Sequence, residues 1–234
     1  MIKIRTLLIA LFVASLLIMP LGCTGEVTTK EFNFSDFTKV NIGPAFKVKI
    51  TQASSYNINI TANSEKIEYI EVTKVGDTLN IGIESQSGPW NFHTLEAIIT
   101  MPDIYDLDLS GASNGIIQGF SFSHDFSAEL SGASRLSGDL TAGDVNFVLS
   151  GASNVELQGS ANDMLAKVSG ASRVKLGGFE VDNADVSLSG ASNCTVRLDG
   201  TLSADVSGAS KLTYKGNPTL GSLSSSGGST IKKG

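Results

Sequence analysis

The amino-acid sequence predicts an all-β fold, a single-stranded parallel β-helix with coils of about 19 residues and a strand-rich N-terminal capping region. The first observation behind this prediction is a repeat of nearly constant period, which is typical of solenoids. The second is an alternation of apolar and polar residues, which is the period of a β-strand. The repeat is the tetrapeptide Ser-Gly-Ala-Ser (SGAS), which begins at Ser110, Ser131, Ser150, Ser169, Ser189 and Ser207, and a degenerate Ser-Gly-Gly-Ser follows at Ser226.

Each SGAS element lies between two short alternating segments. Leu or Val directly precedes it in all six copies, and apolar residues return at the second and fourth positions after most copies. The 3.6-residue period of a helix is absent, and so are the leucine spacing of leucine-rich repeats and the calcium-binding nonapeptide. We therefore expect two strands per repeat, joined through SGAS, with successive coils stacked about 4.8 Å apart.

We expect SGAS to form the bend between the two strands of a coil. Glycine permits backbone conformations that other residues avoid, and it lets neighbouring coils approach closely. We expect the alanine at the inside of the corner and the serines in ladders along one edge, where their hydroxyls satisfy each other or the backbone of the bend. The predicted structural turn residues are Ser110, Gly111, Ser131, Gly132, Ser150, Gly151, Ser169, Gly170, Ser189, Gly190, Ser207 and Gly208.

Residues 34–104 lack SGAS but still alternate as strands, and we expect this region to form the head that covers one end of the helix. The predicted strands are 46–50, 56–60, 69–73 and 78–83, with a turn at Val75-Gly76-Asp77 and one helical turn, capped by Asn or Ser, starting in 63–66. Residues 84–94 read as a loop, whose Trp90 and Phe92 form either a flap over the core or an exposed binding patch. The SGAS helix itself is expected over 105–234, continuous with this head.

The first 22 residues have the pattern of a signal peptide. Lys3 and Arg5 precede a run of 13 apolar or small residues, which is too short for a membrane-spanning helix. Cys23 follows Leu21-Gly22 as in a bacterial lipoprotein cleavage box, although Pro20 stands where such boxes usually carry Leu. We predict export with lipidation of Cys23, a tether over 23–33 and a cell-envelope location. Ordinary secretion with cleavage near the same place is the alternative.

The composition narrows the function classes. The formal net charge is −6 and no basic stripe occurs, which argues against nucleic acid and leaves the N-terminal lipid as the membrane contact. Cys194 lacks a partner if Cys23 is lipidated, so we interpret it as a small buried apolar residue. We predict no metal site and no cofactor, since the two histidines, His93 and His124, have no ligand run nearby.

Catalytic motifs are weak in this sequence. Six serines in equivalent positions argue against a unique nucleophile, and Ser172-Arg173-Val174-Lys175 matches S-x-x-K at an ordinary repeat position. Asp182, Asp185 and Asp199 could meet across neighbouring coils, as acids do in polysaccharide-active β-helices. The residue after SGAS is interpreted as a solvated outward column, or else as a stripe that faces a ligand; its members are Asn114, Arg135, Asn154, Arg173, Asn193 and Lys211.

The segment AIITMPDIYDLDLSGAS (97–113), together with FKVKITQ, YNINITA and IEVTKVGDTLNIGI, resembles a known bacterial family. That family is described as putative auto-transporter adhesin, head GIN domain, and the resemblance covers about residues 34–230. It implies a right-handed β-helical fold and an exported protein, often a lipoprotein, and it brings no established catalytic residues.

Location, rigid faces and this resemblance together predict an adhesin-like binding or interaction module rather than an enzyme. A surface glycan, or an envelope or host protein, is the expected partner. A glycan-active enzyme and a structural envelope protein without a ligand are the alternatives.

Overall fold

The computed structural model describes residues 25–84 and 93–234. Its strands, in chain order, are β1 (Val27–Phe32), β2 (Lys39–Ile42), β3 (Lys47–Gln52), β4 (Asn57–Asn63), β5 (Ile70–Val75), β6 (Thr78–Ile83), β7 (Leu95–Met101), β8 (Asp106–Leu109), β9 (Asn114–Ser121), β10 (Phe126–Leu130), β11 (Arg135–Thr141), β12 (Val145–Leu149), β13 (Asn154–Val168), β14 (Arg173–Leu188), β15 (Asn193–Leu198), β16 (Thr201–Val206), β17 (Lys211–Lys215), β18 (Thr219–Ser225) and β19 (Thr230–Lys233).

The strands form a β-solenoid, so the predicted all-β helical fold is confirmed. The strands that precede each SGAS stack in parallel as a front ladder, which runs β8, β10, β12, the second half of β13, the second half of β14, β16 and β18. The strands that follow each SGAS form a rear ladder, which runs β9, β11, the first half of β13, the first half of β14, β15, β17 and β19.

Apolar and polar residues alternate along the strands, so the apolar side of each ladder faces inward and joins one continuous core. In β12 the burial pattern alternates without exception, and Phe147 at its centre is fully buried. In the rear ladder, Cys194 is buried at an inward position of β15, between Val174 and Leu212 of the neighbouring coils. Burial raises the pKa of the Cys194 thiol to about 12, so this residue behaves as the apolar filler that the sequence predicts.

The solenoid extends further towards the N-terminus than the SGAS elements do. Strands β2 and β3 pair in parallel with β8 and β9, and β6 and β7 pair in parallel with β2 and β3 on their other side. The segment β2–β3 is therefore a coil that lies between two coils later in the chain. The sequence prediction, which started the SGAS helix at residue 105, missed this coil because its corner is Gly43-Pro44-Ala45-Phe46 and not SGAS.

That corner shows why the tetrapeptide can vary here. Proline locks φ near −65°, so Pro44 cannot take the positive φ that Gly111 adopts at the equivalent second position, 76°. The positive angle moves to the third position instead, where Ala45 has a φ of 69°. This coil thus turns through a proline-initiated bend, in which the strained residue is an alanine.

The cap itself is made of antiparallel strands. On the rear side β4 pairs antiparallel with β7, and β1 pairs antiparallel with β4. On the front side β5 pairs antiparallel with β6 through the predicted turn at Gly76, whose φ is 61°. The expectation of a tether over 23–33 is thus wrong for residues 27–32, which form a strand because the edge of β4 offers them a backbone ladder.

The predicted helical turn near residues 63–66 is found slightly later in the chain. The helical turn is a single 3₁₀ turn at Ile67–Tyr69, and no side-chain hydrogen bond caps it. Asn63 instead accepts the backbone N–H groups of His93 and Thr94. Trp90 and Phe92, predicted as a flap or a patch, lie outside the described residues. Within residues 25–84 and 93–234 no helix has the length and hydrophobicity that crossing a bilayer requires.

Candidate functional site

The six SGAS corners form one edge of the solenoid. All six glycines have positive φ, between 72° and 76°. The alanine N–H of each later corner donates to the glycine carbonyl of the preceding corner at 2.7–2.9 Å. A Cβ built on Gly170 would lie 2.3 Å from the carbonyl oxygen of Gly151, so both the backbone conformation and the stacking distance require glycine there.

The side chains of the corner point in directions that the sequence does not reveal. The alanines are exposed, which contradicts their expected place at the inside of the corner. The second serine turns inward instead, and in four corners its hydroxyl donates to the carbonyl of the first serine, as from Ser134 to Ser131 at 2.8 Å. Serine suits this place because a buried carbonyl requires a donor. These buried serines are Ser113, Ser134, Ser153, Ser172, Ser192 and Ser210.

The residues near this edge show no catalytic arrangement. Ser172 is fully buried, and its hydroxyl accepts the backbone N–H of Ser153. Lys175 lies on the outer side and pairs with Glu156 at 3.1 Å. The column that follows SGAS, from Asn114 to Lys211, is aligned along the rear ladder and is exposed or half-exposed, which both the solvated and the ligand-facing interpretations predict.

A long groove lies at the end of the front strands that is opposite to the SGAS corners. It is a groove of about 600 Å³ that crosses six coils of the front ladder, and we call it the front groove. Buried residues such as Phe126, Val145 and Met164 form its floor. One rim of the groove is formed by the corners that precede the front strands. The other rim is formed by the first outward-facing residue of each front strand: Asp106, Ser127, Asn146, Leu165, Asp185 and Ser203.

The corner rim carries three stacked carboxylates, Asp125, Asp144 and Asp163, which we call the acidic ladder. The backbone N–H of Asp144 donates to Asp125 Oδ1 at 3.1 Å, and that of Asp163 donates to Asp144 Oδ1 at the same distance. Asn183 continues the ladder, because its Nδ2 donates to Asp163 Oδ1 at 2.8 Å. Asp125 and Asp144 thus each satisfy a backbone N–H of the next coil, Asp163 accepts a side-chain amide instead, and all three residues are exposed.

A stack of three rings borders the first coil of the groove. The His124 ring lies between those of Tyr105 and Phe122, with centroid distances of 3.8 and 3.9 Å and nearly parallel planes. Its Nε2 lies 2.7 Å from Asp103 Oδ1, and its Nδ1 lies 2.9 Å from the carbonyl oxygen of Asp125. These contacts fix Tyr105, which lines the groove and is 40% exposed.

Comparison with known proteins decides the family. The model of the family described as putative auto-transporter adhesin, head GIN domain, matches residues 36–218. The chain belongs to this family. A search of curated proteins found no match.

Solved structures share the fold of this head GIN protein. A putative adhesin from Bacteroides fragilis has a TM-score of 0.85 at 23% identity, covering 90% of this chain and 98% of the other. A putative adhesin from Parabacteroides merdae has a TM-score of 0.69 at 16% identity, with coverage of 90% and 97%. A protein from Parabacteroides distasonis described as a putative lipid binding protein has a TM-score of 0.65 at 16% identity, with the same coverage.

The front face of this head GIN protein is acidic. Lys39 is the cation that lines the groove, and it lies 3.5 Å from Asp77 and 3.4 Å from Asp106. Asp77 first and then Asp106 raise the pKa of Lys39. Beside the groove, burial and then the carboxylate of Glu129 raise the pKa of Asp108. Among the residues that the structure describes, no ion pair reaches the acidic ladder and no acidic, histidine or cysteine cluster has the geometry of a metal site.

Sequence reasoning missed the front groove of this head GIN protein but considered one of its residues. Asp185 lines the groove, whereas Asp182 and Asp199 do not. The missed signal is that Asp125, Asp144, Asp163 and Asn183 each stand six residues before an SGAS serine. A search confined to positions next to SGAS could not find it.

Proposed function

We propose that this protein is an exported, lipid-anchored cell-envelope module that binds its partner through the front groove in an adhesin-like manner. Membership of a family described as an adhesin head, and neighbours described as adhesins, support the adhesin-like role and an extracellular or cell-surface location. The groove carries the proposal, because it combines an apolar floor with exposed polar groups from six coils. A surface glycan, or an envelope or host protein, is the partner class.

The arrangement of the carboxylates favours binding over catalysis. Glycoside hydrolysis by a pair of carboxyl groups requires the two to lie in unlike environments, so that one is protonated while the other is ionised. The acidic ladder places Asp125 and Asp144 in equivalent environments, because each accepts the backbone N–H of the next coil at 3.1 Å. Such repetition suits contact with an extended partner.

The binding role is tested with the whole protein, extracted in detergent and applied to arrays of bacterial and host glycans and of matrix proteins. Reproducible binding to one chemical class that is lost when groove residues are changed would support the proposal. A blank result on both arrays would contradict it and would favour a structural envelope role.

The anchor is tested separately through the Cys23→Ser variant. We expect this change to abolish the incorporation of labelled fatty acid and to release the protein from membranes, because the thiol is the site of the lipid. Cys194→Ala is the matched control, since Cys194 is buried and should leave labelling unchanged. An unchanged membrane fraction of Cys23→Ser would refute lipidation at this residue.

A further inference from the structure

The charges of the front groove are strongly unbalanced. Five carboxylates line it, whereas Lys39 is the lining cation and already contacts Asp77 and Asp106. The carboxylates are Asp106, Asp125, Asp144, Asp163 and Asp185. Electrostatic complementarity therefore favours a positively charged partner and disfavours an anionic one.

The spacing of the acidic ladder distinguishes between cationic polymers. Its members stand on successive coils, which repeat about every 4.8 Å along the stack. An extended peptide places side chains on the same side about every 6.8 Å, twice its rise per residue, and so falls out of step with the ladder. In an extended β-1,4-linked chain successive pyranose units face opposite ways, so the amino groups on one side recur every second unit. That repeat is close to two coil spacings, so one side of a glucosamine chain meets alternate members of the ladder, Asp125 and Asp163.

The groove also offers apolar surface of the kind that sugar rings contact. Tyr105 presents a ring that is held in place by the stacked His124, and Leu165, on a later coil, is 36% exposed. The C–H faces of a pyranose pack against aromatic and aliphatic surfaces of this kind. The two residues lie on non-adjacent coils, so a chain that contacts both must extend along the groove.

We propose that the front groove binds a glycan with positively charged amino groups. The glycan is a chain of β-linked glucosamine units that runs along the stack, from coil to coil. This inference rests on the proposed binding function and names its ligand class. The ammonium groups pair with the acidic ladder, the ring faces contact Tyr105 and Leu165, and the hydroxyls meet the amide and hydroxyl groups of the opposite rim.

The test compares two ligands that differ at the amino group, which is a cation in one and an uncharged acetamide in the other. The whole protein, in detergent at pH 6, is titrated by calorimetry with a glucosamine hexamer and with its N-acetylated counterpart. At this pH an amine of ordinary basicity is protonated, whereas the acetamide carries no charge. We expect the hexamer to bind at least tenfold more tightly than the acetylated chain, and to weaken as salt is raised. Equal affinities, or tighter binding of hexalysine than of the glucosamine hexamer, would overturn the inference.

The variant that isolates the ladder is Asp144→Asn with Asp163→Asn. Asparagine keeps a carbonyl oxygen, so at 144 it can still accept the backbone N–H of residue 163, as Asn183 does for Thr201 at 2.8 Å. At 163 it can still accept the Asn183 Nδ2 group, so the fold should persist. We expect this double variant to bind the hexamer at least tenfold more weakly. Asp139→Asn is the matched control, because Asp139 is exposed outside the groove and also accepts a backbone N–H, from Gly119 at 2.8 Å. Equal weakening in the control would contradict a role for the groove.

The two levels of the proposal fail in distinguishable ways. Groove-dependent binding of a neutral or anionic glycan, or of a protein, would overturn the amino-sugar inference and leave the binding function intact. The absence of binding to every glycan and protein tested would overturn both.

Discussion

The two ends of the solenoid differ in how they terminate a parallel stack. At the N-terminal end the edges of β6 and β7 are covered by the antiparallel strands β5 and β4, and Ile67 and Ile70 are buried there. At the C-terminal end every residue of β18 is exposed. Leu220 is 49% exposed, although the equivalent Leu202 one coil below is fully buried.

This difference shows what a coil requires from its neighbours. A single coil has the same alternating pattern everywhere, but a residue becomes core only when another layer lies above it. At the N-terminal end the antiparallel strands β4 and β5 provide that layer, and the parallel stacking ends with them. The last described coil instead has Gly227-Gly228 and the charged Lys232-Lys233, which discourage further strands from pairing.

The largest expected effect separates the interior of the stack from this open end. Gly170→Val places a branched side chain where φ is 73° and a Cβ would lie 2.3 Å from the Gly151 carbonyl oxygen. We expect it to lower the free energy of unfolding by more than about 3 kcal/mol, because both strain and the clash disrupt the ladder. Urea denaturation measures the loss.

Gly227→Val is the matched change at the open end. It has a similar φ of 69°, but its Cβ would lie 2.9 Å from the Gly208 carbonyl oxygen, a longer approach than the one at Gly170. We expect a loss of about 1–2 kcal/mol, mainly from backbone strain. Equal losses in the two variants, or a Gly170→Val protein that melts within a degree of wild type, would show that stacking does not set the requirement for glycine.

The next effect compares apolar residues at the two ends. Ile60 lies in β4 of the cap and is fully buried, so Ile60→Ala should cost about 2–5 kcal/mol through lost contacts and a cavity. Leu220→Ala should cost less than about 1 kcal/mol, because half of the side chain already meets solvent. Thermal unfolding of both variants provides the comparison, and a larger loss for Leu220→Ala would mean that another surface covers the open end.

The parts of the fold that were predictable from sequence are those that repeat. The SGAS period and the alternation predicted the stacked strands because successive coils pair in register and bury side chains at the same positions. The coil at β2–β3 was missed since Pro44 changes its corner, and β1 was missed since its residues, from Val27 to Glu31, are all exposed and carry no alternation of burial.

The candidate site was only partly predictable for the same reason. The acidic ladder repeats, and its period was visible in the spacing of Asp125, Asp144 and Asp163. The aromatic stack does not repeat, because the residues of later coils that stand where His124 does, Gly143 and Asn162, are not aromatic. Its formation depends on three-dimensional neighbours and a hydrogen bond to Asp103, and neither leaves a periodic signal.

The smallest effect tests whether the open end tolerates the consensus corner. Gly228 stands where every SGAS element has alanine, and a Cβ there would lie 3.7 Å from the Gly208 carbonyl oxygen, an ordinary contact. Gly228→Ala should therefore raise the free energy of unfolding by about 0.4–1 kcal/mol, because alanine restricts the unfolded chain without straining the folded one. Amide exchange of β18 and β19 should slow in parallel. A destabilised variant would mean that the last corner departs from the geometry of the six corners beneath it, and that the open end differs in backbone as well as in burial.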